Sequence, residues 1–395
     1  MTEPSPPPSA LPALIPVAAA WSLYLPLGCQ YLVFLVGGVM ALRLLAWGGW
    51  RASESRQPAR QLARQPGVVL ALLLFVWMAM SMLWSSAPLA GALAHLWYYS
   101  LPLWLLPWAL TLKPQDGRRA LRHFVVASVI AAGLLATVWA ERITGNQRIA
   151  VSLLFALAAS FAVLETLDVQ QSTRARVAWA GAALCCVAAL SVQDRRTGMF
   201  VLPVLMLVLA WRRQPKWWPR LALLGMLVAA VMLVWAGSSQ VRSRVTEGLA
   251  ELKNYQSQGD VQTSWGMRLR MLEVTASMMR ERPLIGHGVG AWPFEWRQRS
   301  SGSALLTAHT TPHNEYMLVA AQGGAIGLGL LISTLLALGG MIRRRGRRAD
   351  AALLVWLAFV VTALFNAALR DAKFALPLLM LGALAWAASR EPEQG

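Results

Sequence analysis

Residues 67–84 read GVVLALLLFVWMAMSMLW, eighteen positions without a charged side chain. A run of that length and polarity is a transmembrane-helix candidate, because about 20 apolar residues cross a ~30 Å hydrocarbon core. It has no polar face, so it is not the amphipathic helix of a soluble domain. Working outward, comparable blocks recur at 11–27, 29–49, 91–112, 121–140, 149–167, 177–193, 198–211, 220–236, 315–341, 351–368 and 374–389. The first two could form one hairpin with a tight turn near Gly28. Composition agrees: 57% of the 395 residues are hydrophobic and 14% charged, against roughly 45–50% and 25% in soluble domains. The expected fold is therefore an all-α polytopic membrane protein with about twelve spans.

The formal charge of +18 fits nucleic acid, an anionic membrane face or an anionic substrate. Its distribution decides among them. Twenty Lys and Arg fall in alternate loops and the C-terminal tail, while the short loops of the other side hold six: Arg142, Arg148, Arg195, Arg196, Arg370 and Lys373. By the positive-inside rule the twenty-residue side is cytoplasmic, with both termini there. The charge thus reports topology and contact with membrane lipids, not nucleic acid. Trp47, Trp50, Trp84, Trp108, Trp211, Trp217, Trp218 and Trp235 lie near span ends, where an aromatic belt is expected. Met1–Pro12 carries five prolines and no Lys or Arg. It lacks the basic region of a signal peptide, so the first apolar block is expected to remain as an anchor.

One long polar segment interrupts the pattern. The chain divides into spans 1–9 over 1–236, a loop on the non-cytoplasmic side over 237–314 (periplasmic, on the resemblance given below), and spans 10–12 with a cytoplasmic tail over 315–395. Within the loop, Val241, Val245, Leu249 and Leu252, and then Met267, Met271, Val274 and Met278, recur at helical spacing. These helices either roof the bundle or form a lid over a site. Pro283, Gly286, Gly288 and Gly290 mark a turn-rich stretch.

Candidate chemistry sits at the edges of this loop. Arg195 and Arg196, in Gln193-Asp194-Arg195-Arg196-Thr197-Gly198, are pinned at the membrane surface between apolar blocks. The guanidinium fork makes bidentate bonds to phosphate and keeps its charge, so an anion-binding role is favoured over an interfacial anchor paired with Asp194. His313 lies where the tenth span begins. Thr311 as N-cap and Pro312 at the first helical position would put His313 in the first turn. The helix dipole would there keep the imidazole neutral, as a general base requires; a capping or packing histidine is the alternative. His287, His309 and His313 lack metal-ligand spacing, and Pro312 breaks a helix through the last two, so no metal site is expected. There is no phosphate-binding Gly-x-x-x-x-Gly-Lys loop. Gly323, Gly324, Gly327 and Gly329 read as close helix packing. Cys29, Cys185 and Cys186 lie in apolar blocks, which disfavours a disulfide framework.

Three local patterns resemble the bacterial O-antigen ligases of the O-antigen ligase/polymerase superfamily. The first is Ser191-Val192-Gln193-Asp194-Arg195-Arg196-Thr197-Gly198, whose arginine falls on Arg196; the family commonly has Ser where this chain has Arg195. The second is Arg268-Leu269, followed by Arg282-Pro283-Leu284-Ile285-Gly286-His287-Gly288-Val289-Gly290, whose arginine falls on Arg268. A Trp often found four residues after that arginine is Leu272 here. The third is Pro312-His313-Asn314-Glu315-Tyr316 with the glycine-rich span after it, whose histidine falls on His313. The resemblance is detailed over about 190–330 and architectural elsewhere.

It implies an inner-membrane glycosyltransferase of GT-C-like fold that needs no cofactor. Such an enzyme moves O-antigen polysaccharide from undecaprenyl pyrophosphate to lipid A–core oligosaccharide at the periplasmic face, without nucleotide or metal. On that footing His313, Arg196 and Arg268 are the expected catalytic residues, and Arg195, Arg370, Asn314 and Tyr316 the expected substrate-binding ones. Asp194 or Glu315 would orient them. With one visible base and no paired carboxylates, direct displacement with inversion is expected. An O-antigen polymerase and a protein oligosaccharyltransferase share these motifs. A flippase for the same lipid is a rival from another class, although no pair of broken, repeated helices is evident.

Overall fold

The computed structural model describes residues 12–49, 64–135, 137, 148–192, 196–213, 216–218, 220–221, 225, 239–300 and 308–390. Every element among them is helical. In chain order they are α1 (Leu14–Ser22), α2 (Leu27–Gly49), α3 (Pro66–Met80) with a 3₁₀ turn over Ser81–Trp84, α4 (Leu89–Thr111), α5 (Pro114–Leu135), α6 (Arg148–Thr166), α7 (Thr173–Val192) and α8 (Arg196–Arg213). After these come α9 (Ser239–Gln258), α10 (Ser264–Glu281), α11 (Ala291–Arg299), α12 (Glu315–Arg344), α13 (Asp350–Thr362) and α14 (Ala372–Ala388).

Six described helices are long and apolar enough to cross a membrane: 27–45, 66–84, 89–111, 149–166, 173–192 and 315–344, with Ala372–Ala388 a shorter apolar helix. The protein is therefore an all-helical, multi-pass membrane protein. The span expected over 220–236 falls almost wholly outside the described residues. The hairpin turn expected near Gly28 lies instead at Leu23–Pro26, between α1 and α2. At nine residues, α1 reaches only about 14 Å.

The bundle is organised around α6, the most buried span, which packs on α5, α7, α8 and α13. On the other side α3 packs along α12, and α4 along α14. Small residues permit these approaches. A Cβ on Gly198 would stand 2.2 Å from the Ser152 carbonyl oxygen, so the first turn of α8 can press against α6. Trp108 corrects the belt reading: it is fully buried, with its ring in a notch where a Cβ on Gly37 would stand 2.2 Å away. Trp211, Trp217 and Trp218 are exposed as a belt requires. Part of the basic charge has a structural task, because Arg212 and Arg213 grip the buried Asp350 at 2.9 and 3.0 Å and so tie α8 to α13.

The two helices expected within the polar segment are present as α9 and α10, and a third, α11, follows the glycine-rich stretch. The expected apolar face of α10 is real: Met271, Val274 and Met278 are buried with Trp292, Trp296, Leu318 and Ala321. In α9, Leu249 is exposed, while Tyr255 donates to Glu273 at 2.6 Å and Glu251 accepts from the Trp265 N–H at 3.0 Å. Polar bonds therefore fasten α9 to α10.

The glycines of α12 divide into two kinds. Gly323 and Gly327 do pack closely, each against Trp77 of α3. Gly324 instead breaks the helix, with φ 66° and ψ −165°. The backbone groups freed by the break are paired by the 283–290 loop. The N–H groups of His287 and Gly288 donate to Ala321 and Gln322 at 2.9 and 2.8 Å, and those of Ala325 and Ile326 donate to Pro283 and Leu284 at 2.8 and 3.3 Å. A buried broken helix needs such substitutes. The same loop reaches the α3–α4 turn, where Val289 N–H donates to Ser81 Oγ at 2.9 Å and Ser85 Oγ donates to the Val289 carbonyl at 2.8 Å. After the break, residues 325–344 extend about 30 Å, one bilayer core. The segment 315–323 is a separate short helix that carries the histidine loop.

Candidate active site

His313 does not stand in the first turn of α12. The helix begins at Glu315, and its N-cap is Asn314, whose side-chain oxygen accepts the Met317 N–H at 3.0 Å. Asn314 therefore takes the capping role expected of Thr311. His313 then precedes the cap in the left-handed conformation, φ 52°, which non-glycine residues seldom adopt. Such strain persists where neighbours over-determine it, and here they do. Pro312 before it is buried. After it, Asn314 Nδ2 donates to the Leu364 carbonyl at 3.1 Å, the Glu315 N–H to Ala363 at 2.9 Å, and the Tyr316 hydroxyl to Val360 at 3.1 Å. The polar groups of Asn314 and Tyr316 thus anchor the histidine loop to the end of α13.

The electrostatics of His313 are set by burial and by cations. Burial, then the neighbouring His309, then the Arg268 charge push its pKa down to about 4. The ring is neutral at physiological pH, as the sequence reading expected, but the helix dipole is not the cause. His309 packs edge-on at 5.6 Å between ring centroids, and burial lowers its pKa too. Among the described residues no three of His, Cys, Asp and Glu group as metal ligands. Arg268 lies on α10, exposed, and α10 packs on α12; its positive charge reaches His313 and disfavours a proton there.

Glu315 is fully buried and accepts the Leu369 and Arg370 N–H groups at 2.9 and 3.3 Å. It thereby fixes the turn that carries Arg370. The guanidinium of Arg370 lies 4.4 Å over the Tyr98 ring, and its Nε donates to His95, 3.2 Å from both ring nitrogens. The sequence analysis passed over His95. A lone histidine inside an apolar block is itself the signal, since ionisable groups within spans are expensive to keep there.

Of the first motif, Arg195 lies outside the described residues, and Arg196 is described only as the first residue of α8. Phe200, four positions on, stacks on Phe365 at 6.4 Å, next to the Leu364 carbonyl that holds Asn314. The start of α8 therefore lies at the same end of the bundle as the histidine loop.

Elsewhere in the polar segment two side chains hold the helices and the glycine loop together. Arg299 is bidentate to Glu281 at 2.5 and 2.8 Å and also reaches Glu295 at 2.9 Å, tying α10 to α11. His287 is buried and its Nε2–H donates to the Met278 carbonyl at 3.1 Å, inside the glycine loop. Its ring braces that loop from the α10 side.

The described helices thus form a multi-pass bundle with a half-buried, neutral histidine in a strained loop at one end. Residues 181–332 match a family model described as O-Antigen ligase. The match spans all three motifs and bears out the resemblance to the O-antigen ligase superfamily, whose members are glycosyltransferase-like ligases and polymerases. A search of curated proteins finds no match.

Proposed function

We propose that this protein is an O-antigen ligase of the bacterial inner membrane, built on about twelve spans of GT-C-like arrangement with its site facing the periplasm. It transfers O-antigen polysaccharide from undecaprenyl pyrophosphate to a sugar hydroxyl of lipid A–core oligosaccharide. The observation that carries this reading is the neutral, half-buried His313 held in a strained loop within the field of Arg268.

In the proposed reaction His313 accepts the proton of the acceptor hydroxyl as its oxygen attacks the anomeric carbon. The bond from that carbon to the pyrophosphate oxygen breaks, and undecaprenyl pyrophosphate leaves with the electron pair. Attack opposite the leaving group inverts the anomeric centre. Arg196 and Arg268 offset the charge that develops on the leaving oxygens, with Arg195 and Arg370 binding the remaining phosphate and sugar oxygens. His95, Tyr98 and Glu315 keep Arg370 in place, and Asn314 and Tyr316 do the same for His313. The single break in α12 is closed by backbone hydrogen bonds, which favours a fixed platform over the moving half-helices of a transporter.

Purified protein in liposomes, given lipid-linked polysaccharide and lipid A–core in EDTA, should form the ligated product with inverted linkage. Product only on a second lipid-linked repeat would make it a polymerase, and product on protein an oligosaccharyltransferase. Movement of lipid without sugar transfer would make it a flippase.

A further inference from the structure

Away from the histidine end, an apolar cavity of about 260 Å³ lies between α3, α4, α12, α13 and α14. Its wall on α12 runs from Leu331 to Ile342, about 16 Å along the helix. That is close to half of a ~30 Å hydrocarbon core, the depth of one leaflet. Met341, Ile342 and Trp386 lie at the end where α12 runs into its arginine run.

Two arginines converge at that end. The Arg345 guanidinium lies 4.2 Å over the Trp386 ring and donates to the Ser389 carbonyl at 3.3 Å. Arg390 donates to the Leu112 carbonyl, and its Nε is buried with no hydrogen-bond partner. Among the described residues no carboxylate acts on either group. Burial alone lowers the Arg345 pKa, and burial followed by the Arg345 charge lowers that of Arg390. The nearby Asp350 is already held by Arg212 and Arg213. Part-buried cations are costly to leave without an anion; these two, with no anionic partner among the described residues, stand on either side of Ser389 at the mouth of an apolar slot one leaflet deep.

We propose that this cavity binds an anionic phospholipid, with one acyl chain along the Leu331–Ile342 wall and the phosphate between Arg345 and Arg390. A phosphate there accepts the hydrogen bonds that the two guanidiniums have left over and ends their mutual repulsion. Its head lies at the opposite end of α12 from His313, so this site is separate from that of the proposed donor. A polyprenyl chain entering from the Tyr99 and Leu369 end, beneath Arg370, is the rival occupant.

The test is thermal unfolding of the delipidated full-length protein in detergent, with dioleoylphosphatidylglycerol, dioleoylphosphatidylcholine or undecaprenyl phosphate added. Phosphatidylglycerol should raise Tm by at least about 2–4 °C, and phosphatidylcholine should not. The rise should vanish in the R345Q/R390Q double variant and persist in R343Q/R344Q, which neutralises exposed neighbours. A cavity-filling Thr334→Trp variant with both arginines intact should also lose it, and decides the matter if the double variant does not fold. Equal shifts with both phospholipids, a shift kept in R345Q/R390Q or in Thr334→Trp, a shift lost in R343Q/R344Q, or a response to undecaprenyl phosphate alone would overturn the proposal.

Discussion

At the scale of single residues, His313 shows how a correct expectation can rest on the wrong cause. Its position at a span edge and its neutral ring were legible in Pro312-His313-Asn314. The cause was not, because the choice between Thr311 and Asn314 as cap depends on the Leu364 and Ala363 carbonyls, some fifty residues away. The sign of the pH dependence follows from the burial. In the proposed mechanism the base works as neutral imidazole, so activity should be present above the His313 pKa and be lost as pH falls through it. The kcat/KM profile reports the free enzyme. It should hold through the ordinary histidine range near 6.5 and fall only as pH approaches about 4. An acid limb at 6.5 or above would contradict the burial argument. His95 was invisible for a related reason: its partner Arg370 is 275 positions away. Trp108 likewise looked interfacial because the Gly37 notch that receives it belongs to another helix.

At the scale of elements, apolar runs and helical spacing located most of the long helices and the two helices of the polar segment. The break in α12 was hidden. Gly323 and Gly324 are adjacent glycines in an apolar run, and only one of them has a positive φ. What distinguishes them is the 283–290 loop, which arrives from some forty residues upstream and replaces the missing helical bonds. This makes a comparison among glycines informative. A Cβ on Gly286 would stand 2.5 Å from Gln322 backbone atoms, at φ 67°, whereas Gly329 of α12 has nothing within 4 Å. Gly286→Ala should therefore destabilise by about 3 kcal/mol, the upper end of ordinary substitutions, and lower activity with it. Gly329→Ala should be neutral within about 1 kcal/mol. Thermal unfolding of the two variants side by side checks this, and equal midpoints would contradict the sealed-break account.

At the scale of the whole molecule, composition alone announced a membrane protein. Six described spans meet the length and polarity needed to cross; α1 and α13 are shorter than their apolar blocks implied because a block's hydropathy does not say where its helix stops. What no composition could show is that the start of α8, the histidine loop before α12 and the α13–α14 turn lie at one end of the bundle, since the contacts that join them link residues far apart in sequence. The account stands or falls on the histidine at that meeting point. The most direct measurement is single-turnover sugar transfer by purified wild-type protein and His313→Ala, with donor binding recorded on the same preparations. The account predicts a loss in transfer of roughly 10²–10⁴-fold, the usual worth of a positioned general base, with donor affinity close to wild type. Transfer by His313→Ala at near wild-type rate would contradict it.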